Sequence, residues 1–312
     1  MIAVAVEETT DYQATARLAT EAFASTDVVF DPEHLRWLYE RCFGMGTTVV
    51  GLTDEVGRKV GQIALVKQSV LVNGVSETAA ELIDLFLVRE WRGSERVQML
   101  YDEVGREFVR QNLRFAFGMP NAKAMPVNER FFNLKGYLKL DIRVGLAAPL
   151  RSSRVVVDER FDRAREAHFV SLFDRYATDK RETGVPWDGA SLYRRLTGQK
   201  FQYAIHATED VLLISSLRRK RFVPYVLMCA YLRRQGATPI SAEVNAVTRA
   251  ASAFWRWPFY VYAGLNKTLP IPGLSLPEKL RPSPMLLQVR DFAPERPKLE
   301  FDRFQLIDFD FA

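Results

Sequence analysis

Asn73-Gly74 lies between two long apolar segments, KVGQIALVKQSVLV and VSETAAELIDLFLV. Both residues tolerate positive φ, which a two-residue hairpin turn demands, so two long antiparallel strands are expected side by side. The rest of the first half must be arranged around that hairpin. Before it, IAVAVEE reads as a short strand, and Thr10 caps a helix carrying Tyr12, Ala16, Leu18 and Phe23. Asp31-Pro32 starts a second helix with Leu35, Trp37 and Leu38, and GTTVVGL is a strand. After it, Val97, Leu100, Tyr101, Val104 and Phe108 keep helical spacing. LRFAFGMP is the next strand, VNERFFNLKG a helix ending at Gly136, and YLKLDIRVGLA a single strand. This order predicts an α/β fold of the α+β kind, with a central mixed sheet.

From Arg151-Ser-Ser-Arg154 onward a similar order recurs. Strand RVVVD leads to helices in DRAREAHFVSLFDRY and GASLYRRLTG, then to strands FQYAIHA, DVLLISSL and FVPYVLMCAYL. Helix SAEVNAVTRAASAFW, strand PFYVYAGL and a final strand RFQLIDFDF follow, with LPIPGLSLPEKLRPSP as a surface loop. The 312 residues suffice for two domains, and the recurrence points to a divergent duplication with halves 1–150 and 151–312.

No apolar run approaches the ~20 residues of a membrane span, and MIAVAVEETT lacks a signal peptide's basic start. Cys42 and Cys229 stand far apart in apolar stretches and are expected as buried thiols of a reducing cytoplasm. The three histidines, His34, His168 and His206, have no metal-type spacing, which argues against a zinc site or a serine–histidine triad. No metal is expected. The densest positive cluster, Arg218-Arg-Lys-Arg221, is either a solvated turn or a patch for a phosphorylated sugar, nucleic acid or lipid headgroup. No nucleic-acid motif accompanies it, so nucleic acid is not expected as a partner.

The segment VREWRGSERVQMLY joins strand to helix. The amides of Gly93, Ser94, Glu95, Arg96 and Val97 would be the unpaired donors of a helix N-terminus, which favours a phosphate. Arg92 and Arg96 add charges able to grip a diphosphate. The alternative is an ordinary connection with surface arginines.

LFLVREWRGSERVQMLYDEV followed by RFAFGMPNAKAMPVNERFFNLKGY resembles the GNAT acyltransferase superfamily, in particular bacterial proteins with two GNAT-like halves. Arg92 matches the first position of the family's diphosphate turn, Asn121 the asparagine after the next strand, and Gly136-Tyr137 the closing pair. The resemblance implies acetyl-CoA or another acyl-CoA as donor, its diphosphate on the turn and its chain along Phe86, Leu87 and Val88. It departs at Glu95 and Val97, where the family has glycines, and at Phe132, where many members have a tyrosine that protonates the thiolate. Tyr137 and Tyr101 are the local replacements. A donor on an acyl-carrier protein fits the same residues.

Transfer to an amine also needs a base. Glu81 and Asp84 lie on the strand entering the turn, three apart and therefore expected on opposite faces. Glu81 is preferred, nearer the strand's open end, with Asp84 buried against a partner. The second half lacks a phosphate turn, since RRQGATP is a poor match. Its Phe254, Trp255, Trp257, Phe259, Tyr260 and Tyr262 either line an acceptor pocket or pack the core. Three readings follow: an N-acetyltransferase acting on a small amine such as an amino sugar or amino-acid derivative, a binding or scaffold protein on the same fold, and a transferase of longer acyl or aminoacyl groups. The oligomeric state is left open.

Overall fold

The computed structural model describes the whole chain except residues 1, 24–29, 151, 199, 221, 239, 282–284 and 311–312. Met1, Arg151, Arg221, Pro239, Pro282, Ser283, Pro284 and Phe311, from segments named above, therefore lie outside the described residues.

In chain order the elements are β1 (Ala3–Val6), α1 (Tyr12–Ala22), α2 (Pro32–Glu40), β2 (Thr47–Thr53), β3 (Lys59–Val72) and β4 (Val75–Leu87). Next come α3 (Ser94–Arg110), β5 (Phe115–Gly118), α4 (Met125–Phe132), β6 (Lys135–Lys139) and β7 (Asp141–Leu146). Then follow β8 (Val157–Arg160), α5 (Glu166–Asp174), α6 (Gly189–Leu196), β9 (Ala204–Ala207), β10 (Val211–Lys220) and β11 (Val223–Arg233). The chain closes with α7 (Ser241–Trp255), β12 (Phe259–Asn266), β13 (Leu274–Ser275), β14 (Leu286–Asp291) and β15 (Arg303–Gln305).

Two compact units result. One comprises Met1–Ser69, Glu77–Lys139 and Pro284–Arg296; the other comprises Val70–Ser76, Leu140–Ser283 and Pro297–Ala312. The first holds a sheet ordered β1-β2-β3-β4-β5-β14-β6. Its β4 and β5 run parallel, joined by the crossover helix α3. The second holds the order β8-β9-β10-β11-β12-β7-β13, with β15 on β12 and a parallel pair β11/β12 joined by α7. The two orders correspond strand for strand. The place between the fifth and last strands is filled out of order in each unit: in the first by β14, from near the end of the chain, and in the second by β7, which directly precedes β8.

Three segments depart from expectation. VNERFFNLKG is helical only as far as Phe132, where Asn133 takes a left-handed conformation as C-cap, and Gly136 belongs to β6. YLKLDIRVGLA is two strands, because Lys139 pairs with Leu286 in one sheet and Asp141 with Gly264 in the other, with buried Leu140 at the change of partner. The final segment gives only the short β15, after which Leu306–Asp308 turn into a 3-10 helix. There the buried Arg195 guanidinium donates to the Ile307 and Phe309 carbonyls at 3.0 and 2.7 Å.

Local chemistry explains the elements that were foreseen. Asn73 and Gly74 both take positive φ, 50° and 82°, as the tight turn requires. Pro32 opens α2 behind the Asp31 cap. For α1 the cap is Asp11 and not Thr10: its carboxylate accepts from the Ala14 amide at 3.0 Å. Both cysteines are buried thiols outside any disulfide.

The first sheet buries both faces. Val50, Leu52, Ile63 and Leu65 pack under Leu100, Tyr101, Val104 and Phe108 of α3 and Phe132 of α4. Val49, Ala64 and Val66 pack under Ala16 of α1 and Leu35, Leu38 and Tyr39 of α2. In the second unit, Val244, Val247 and Ala251 of α7 cover Val211, Leu213, Val226, Met228, Tyr260 and Tyr262. Trp255 and Trp257 pack against that same cluster, so these aromatics serve the unit's own core.

Candidate functional site

Parallel pairing of β4 with β5 covers Ala79↔Phe115, Ala80↔Ala116 and Glu81↔Phe117. β5 stops at Gly118, whereas β4 continues to Leu87. Among the described residues, β4 therefore runs on to Leu87 past the end of its ladder with β5. A strand that outruns its neighbour can offer backbone donors and acceptors to an extended ligand.

At the end of this stretch a 3-10 turn, Arg89–Trp91, leads to Gly93 as N-cap of α3, with no side-chain capping bond. The amides of Gly93, Ser94, Glu95 and Arg96 are thus left without intrahelical partners. The Val97 amide is not among them, contrary to expectation, because it donates to the Gly93 carbonyl at 3.1 Å. Gly93 has extended backbone, φ 175°, and an added Cβ would meet only Arg96 Nη1 at 3.8 Å. Close approach to this turn is sterically open, and the missing glycines at 95 and 97 lie inside the helix, where φ is ordinary.

The two arginines part company. Arg92 is a structural clamp: it donates to the Leu87 carbonyl at 3.3 Å and to the Ala22 carbonyl at 2.6 Å, binding the turn to the end of α1. Arg96 stacks over the Trp91 ring at 4.9 Å beside the open amides. Of the expected chain-binding residues, Phe86, Leu87 and Val88 are buried at 3%, 7% and 6% exposure, and the Val88 amide donates to Val60.

Asn121 uses its side-chain oxygen on the Lys123 and Ala124 amides, both at 3.0 Å, which shapes the entry to α4. Tyr137 lies on β6 and is 44% exposed. Tyr101 is core: buried, stacked on Phe132 at 5.2 Å, its hydroxyl donating to Asn128 Oδ1 at 2.6 Å. Burial holds its phenol proton well above the usual range. Asn128 passes the bond to Gln288 of β14 at 3.0 Å, so this buried chain fixes α3, α4 and β14 together.

The carboxylates of β4 are placed differently from expectation. Asp84 takes φ 49°, a left-handed kink inside the strand. Ala80, Leu82 and Leu85 belong to the α3 side, which turns Glu81 to the α1–α2 side, and Ile83 packs there too. Past the kink, Asp84 also points that way, accepting from Tyr39 of α2 at 2.7 Å. The two acids therefore share one face. Glu81 is 1% exposed and not at an open end, whereas Asp84 is half-buried. Tyr39 also accepts from Gln62 Nε2 at 2.9 Å. Burial, and then the Asp84 carboxylate, raise the Tyr39 pKa well above the ordinary phenol value, so its hydroxyl keeps the proton and orients Asp84. No sequence pattern announced Tyr39 or Gln62. Tyr39 also lines a cavity of ≈300 Å³ with Tyr12, Glu40, Gly46, Thr47 and Val49.

In the second unit His206 bridges Asp158 and Ser215, each at 2.8 Å, and the Trp255 indole donates to the same Ser215 oxygen at 2.9 Å. The order is that of an acid–base–nucleophile relay, which the histidine count had argued against. His206 and Ser215 are both 0% exposed, however, so no substrate reaches the serine. Among the described residues no three His, Cys, Asp or Glu side chains converge as metal ligands.

No protein-family model matches the sequence, and comparison with curated proteins gives no match. Solved structures do match. A probable N-acyltransferase from Enterococcus faecalis superposes with TM-score 0.65 at 13% identity, covering 93% of this chain and 73% of that one. A GCN5-related N-acetyltransferase from Kribbella flavida gives 0.64 at 13%, covering 94% and 72%. Saccharomyces cerevisiae N-myristoyltransferase with bound myristoyl-CoA gives 0.56 at 8%, covering 98% and 83%. The fold is the GNAT fold, present as tandem halves.

Proposed function

We propose that this tandem GNAT fold is an N-acyltransferase that takes an acyl-CoA in its first unit and delivers the acyl group to an amine. The observation that carries the reading is the stretch of β4 that runs past its ladder with β5 and leads to the amides at the start of α3. An acyl-carrying pantetheine can add along such a stretch as an extended strand, and a diphosphate suits the helix N-terminus. Gly93, Ser94, Glu95 and Arg96 supply amides, the Arg96 guanidinium adds charge, and Phe86, Leu87 and Val88 form the wall. Val97 and Arg92 support the turn from behind.

Amine attack on a thioester requires loss of an ammonium proton, and Asp84 is the group proposed to take it. It is half-buried, oriented by Tyr39, and one residue away from the cavity of Tyr12 and Glu40 that would admit the acceptor. Glu81, fully buried on the same face, acts on the field around Asp84. Tyr137 is the exposed phenol on the closing strand and the proposed donor to the leaving thiolate. Acetyl transfer to a small amine, such as an amino sugar or amino-acid derivative, is the first assignment, with cytoplasmic residence.

A second reading, a ligand-binding protein without turnover, is favoured by Phe132: it is locked in the core against Tyr101 and offers no acid. Melting with rising coenzyme A distinguishes the donors. Binding at a hundredfold excess over Kd adds about 2.7 kcal/mol, so melting should rise with concentration. No rise at millimolar coenzyme A, with a rise on adding acylated carrier protein, would move the donor to the carrier. Binding without transfer to any amine would favour the second reading.

A further inference from the structure

Between Asp210 and Glu243 the chain carries Arg218, Arg219, Lys220, Arg221, Arg233 and Arg234 and no acidic residue. The last two are neutralised, Arg233 by Glu182 at 2.5 Å and Arg234 by Asp210 at 2.6 Å. Among the described residues, no carboxylate forms an ion pair with Arg218, Arg219 or Lys220. These three lie at the end of the β10–β11 hairpin, where Lys220 faces Val223.

That end stands clear of its neighbours. β9 pairs with β10 only over Leu212–Ser215, and β12 pairs with β11 only over Val226–Met228. Residues 216–220 and 223–225 extend past both. On this arm Phe222 is 97% exposed, Val223 58% and Leu217 37%. Beneath it, the Arg218 guanidinium lies over the Phe201 ring at 3.0 Å, and Lys200 sits over the same ring at 5.5 Å. Apolar side chains at this tip, beside cations with no ion-pair partner among the described residues, gain nothing from water.

We propose that the tip of the β10–β11 hairpin docks on an anionic lipid surface. Phe222, Val223 and Leu217 enter the boundary between headgroups and acyl chains, the exposed Arg219 and Lys220 meet lipid phosphates, and Arg218, packed over Phe201, holds the arm from beneath. The composition selects lipid over nucleic acid. An aromatic ring can stack on a base, but the aliphatic Leu217 and Val223 gain only from an apolar medium. No helix among the described residues is long and apolar enough to cross a membrane, so the attachment is peripheral. This inference does not depend on the acyltransferase reading.

The test is co-sedimentation of the full chain with vesicles of phosphatidylcholine alone and of phosphatidylcholine with phosphatidylglycerol. Binding is expected only to the anionic vesicles and is expected to weaken as salt rises. Arg219→Gln with Lys220→Gln should lower the partition coefficient about fivefold per cation removed. Phe222→Ser should also weaken it while leaving the salt dependence in place. Melting temperatures matching wild type verify that these exposed variants are folded. Equal binding to both vesicle types, or an unchanged partition coefficient for Phe222→Ser, would overturn the proposal. So would capture of duplex DNA with the vesicles left unbound.

Discussion

At Asp84 the backbone takes φ 49°, and that torsion turns a strand on which residues three apart should oppose each other into one where Glu81 and Asp84 share a face. Aspartate does tolerate the left-handed region, but nothing in ELIDLFLV marks Asp84 as a kink and not as an ordinary strand residue. The alternation is legible in the sequence and the kink is not. Asp84→Asn preserves an acceptor for the Tyr39 hydroxyl while removing the charge. Turnover with any accepted amine should fall about a hundred- to ten-thousandfold with little change in melting. An equal, small effect from Asp84→Asn and Glu81→Gln would move deprotonation elsewhere. His206 offers a second test at this scale. Burial lowers its pKa below 6.5, against the opposing pull of Asp158. The folded protein thus refuses a proton that the unfolded chain accepts, and stability should fall as pH drops below about 6.5. Paired carboxylates with lowered values, such as Asp179 at about 2, lose their contribution only at more acidic pH. Denaturant unfolding at about pH 7.5 and about pH 5.5 should show a loss that His206→Gln abolishes; an unchanged pH dependence would contradict it.

The elements divide by how local their causes are. The β3–β4 hairpin and α2 were readable because Asn73-Gly74 and Asp31-Pro32 determine their own conformations. The strand β14 was not: it follows a proline-rich stretch, and its six residues find their place only between β5 and β6, which lie far earlier in the chain. Its worth can be measured through Gln288, whose side chain accepts from Asn128 in a buried chain that also holds Tyr101. Gln288→Leu leaves the Asn128 amide without that acceptor and should cost about 1–3 kcal/mol in denaturant unfolding. A neutral result would mean that the chain of bonds contributes nothing to the joining of α3, α4 and β14. The phosphate turn is the mixed case. Its helix start was legible from Gly93 onward, but Arg92's commitment to the Leu87 and Ala22 carbonyls depends on α1 and could not be read locally.

Across the whole molecule, the recurring element order in the sequence correctly indicates two similar halves, yet it hides that the first sheet takes β14 from near the end of the chain and that β7 goes to the second sheet. A fragment of residues 1–150 lacks β14, leaving β5 and β6 without their shared neighbour and Arg114 without Asp291, its partner at 3.2 Å. Such a fragment should fail to give a cooperative unfolding transition; a sharp transition with native circular dichroism would show that β14 is dispensable. The central claim, that the N-terminus of α3 holds a coenzyme A diphosphate, is tested most directly by calorimetric titration of wild type and Ser94→Pro. Proline is tolerated at the first helical position, and the extended Gly93 before it suits a following proline, so the fold should be kept while one amide donor is lost. A hydrogen bond to a charged group contributes about 1.5–3 kcal/mol, so Ser94→Pro should bind coenzyme A about ten- to a hundredfold more weakly with an unchanged melting temperature. Equal affinity in the two proteins would contradict the site.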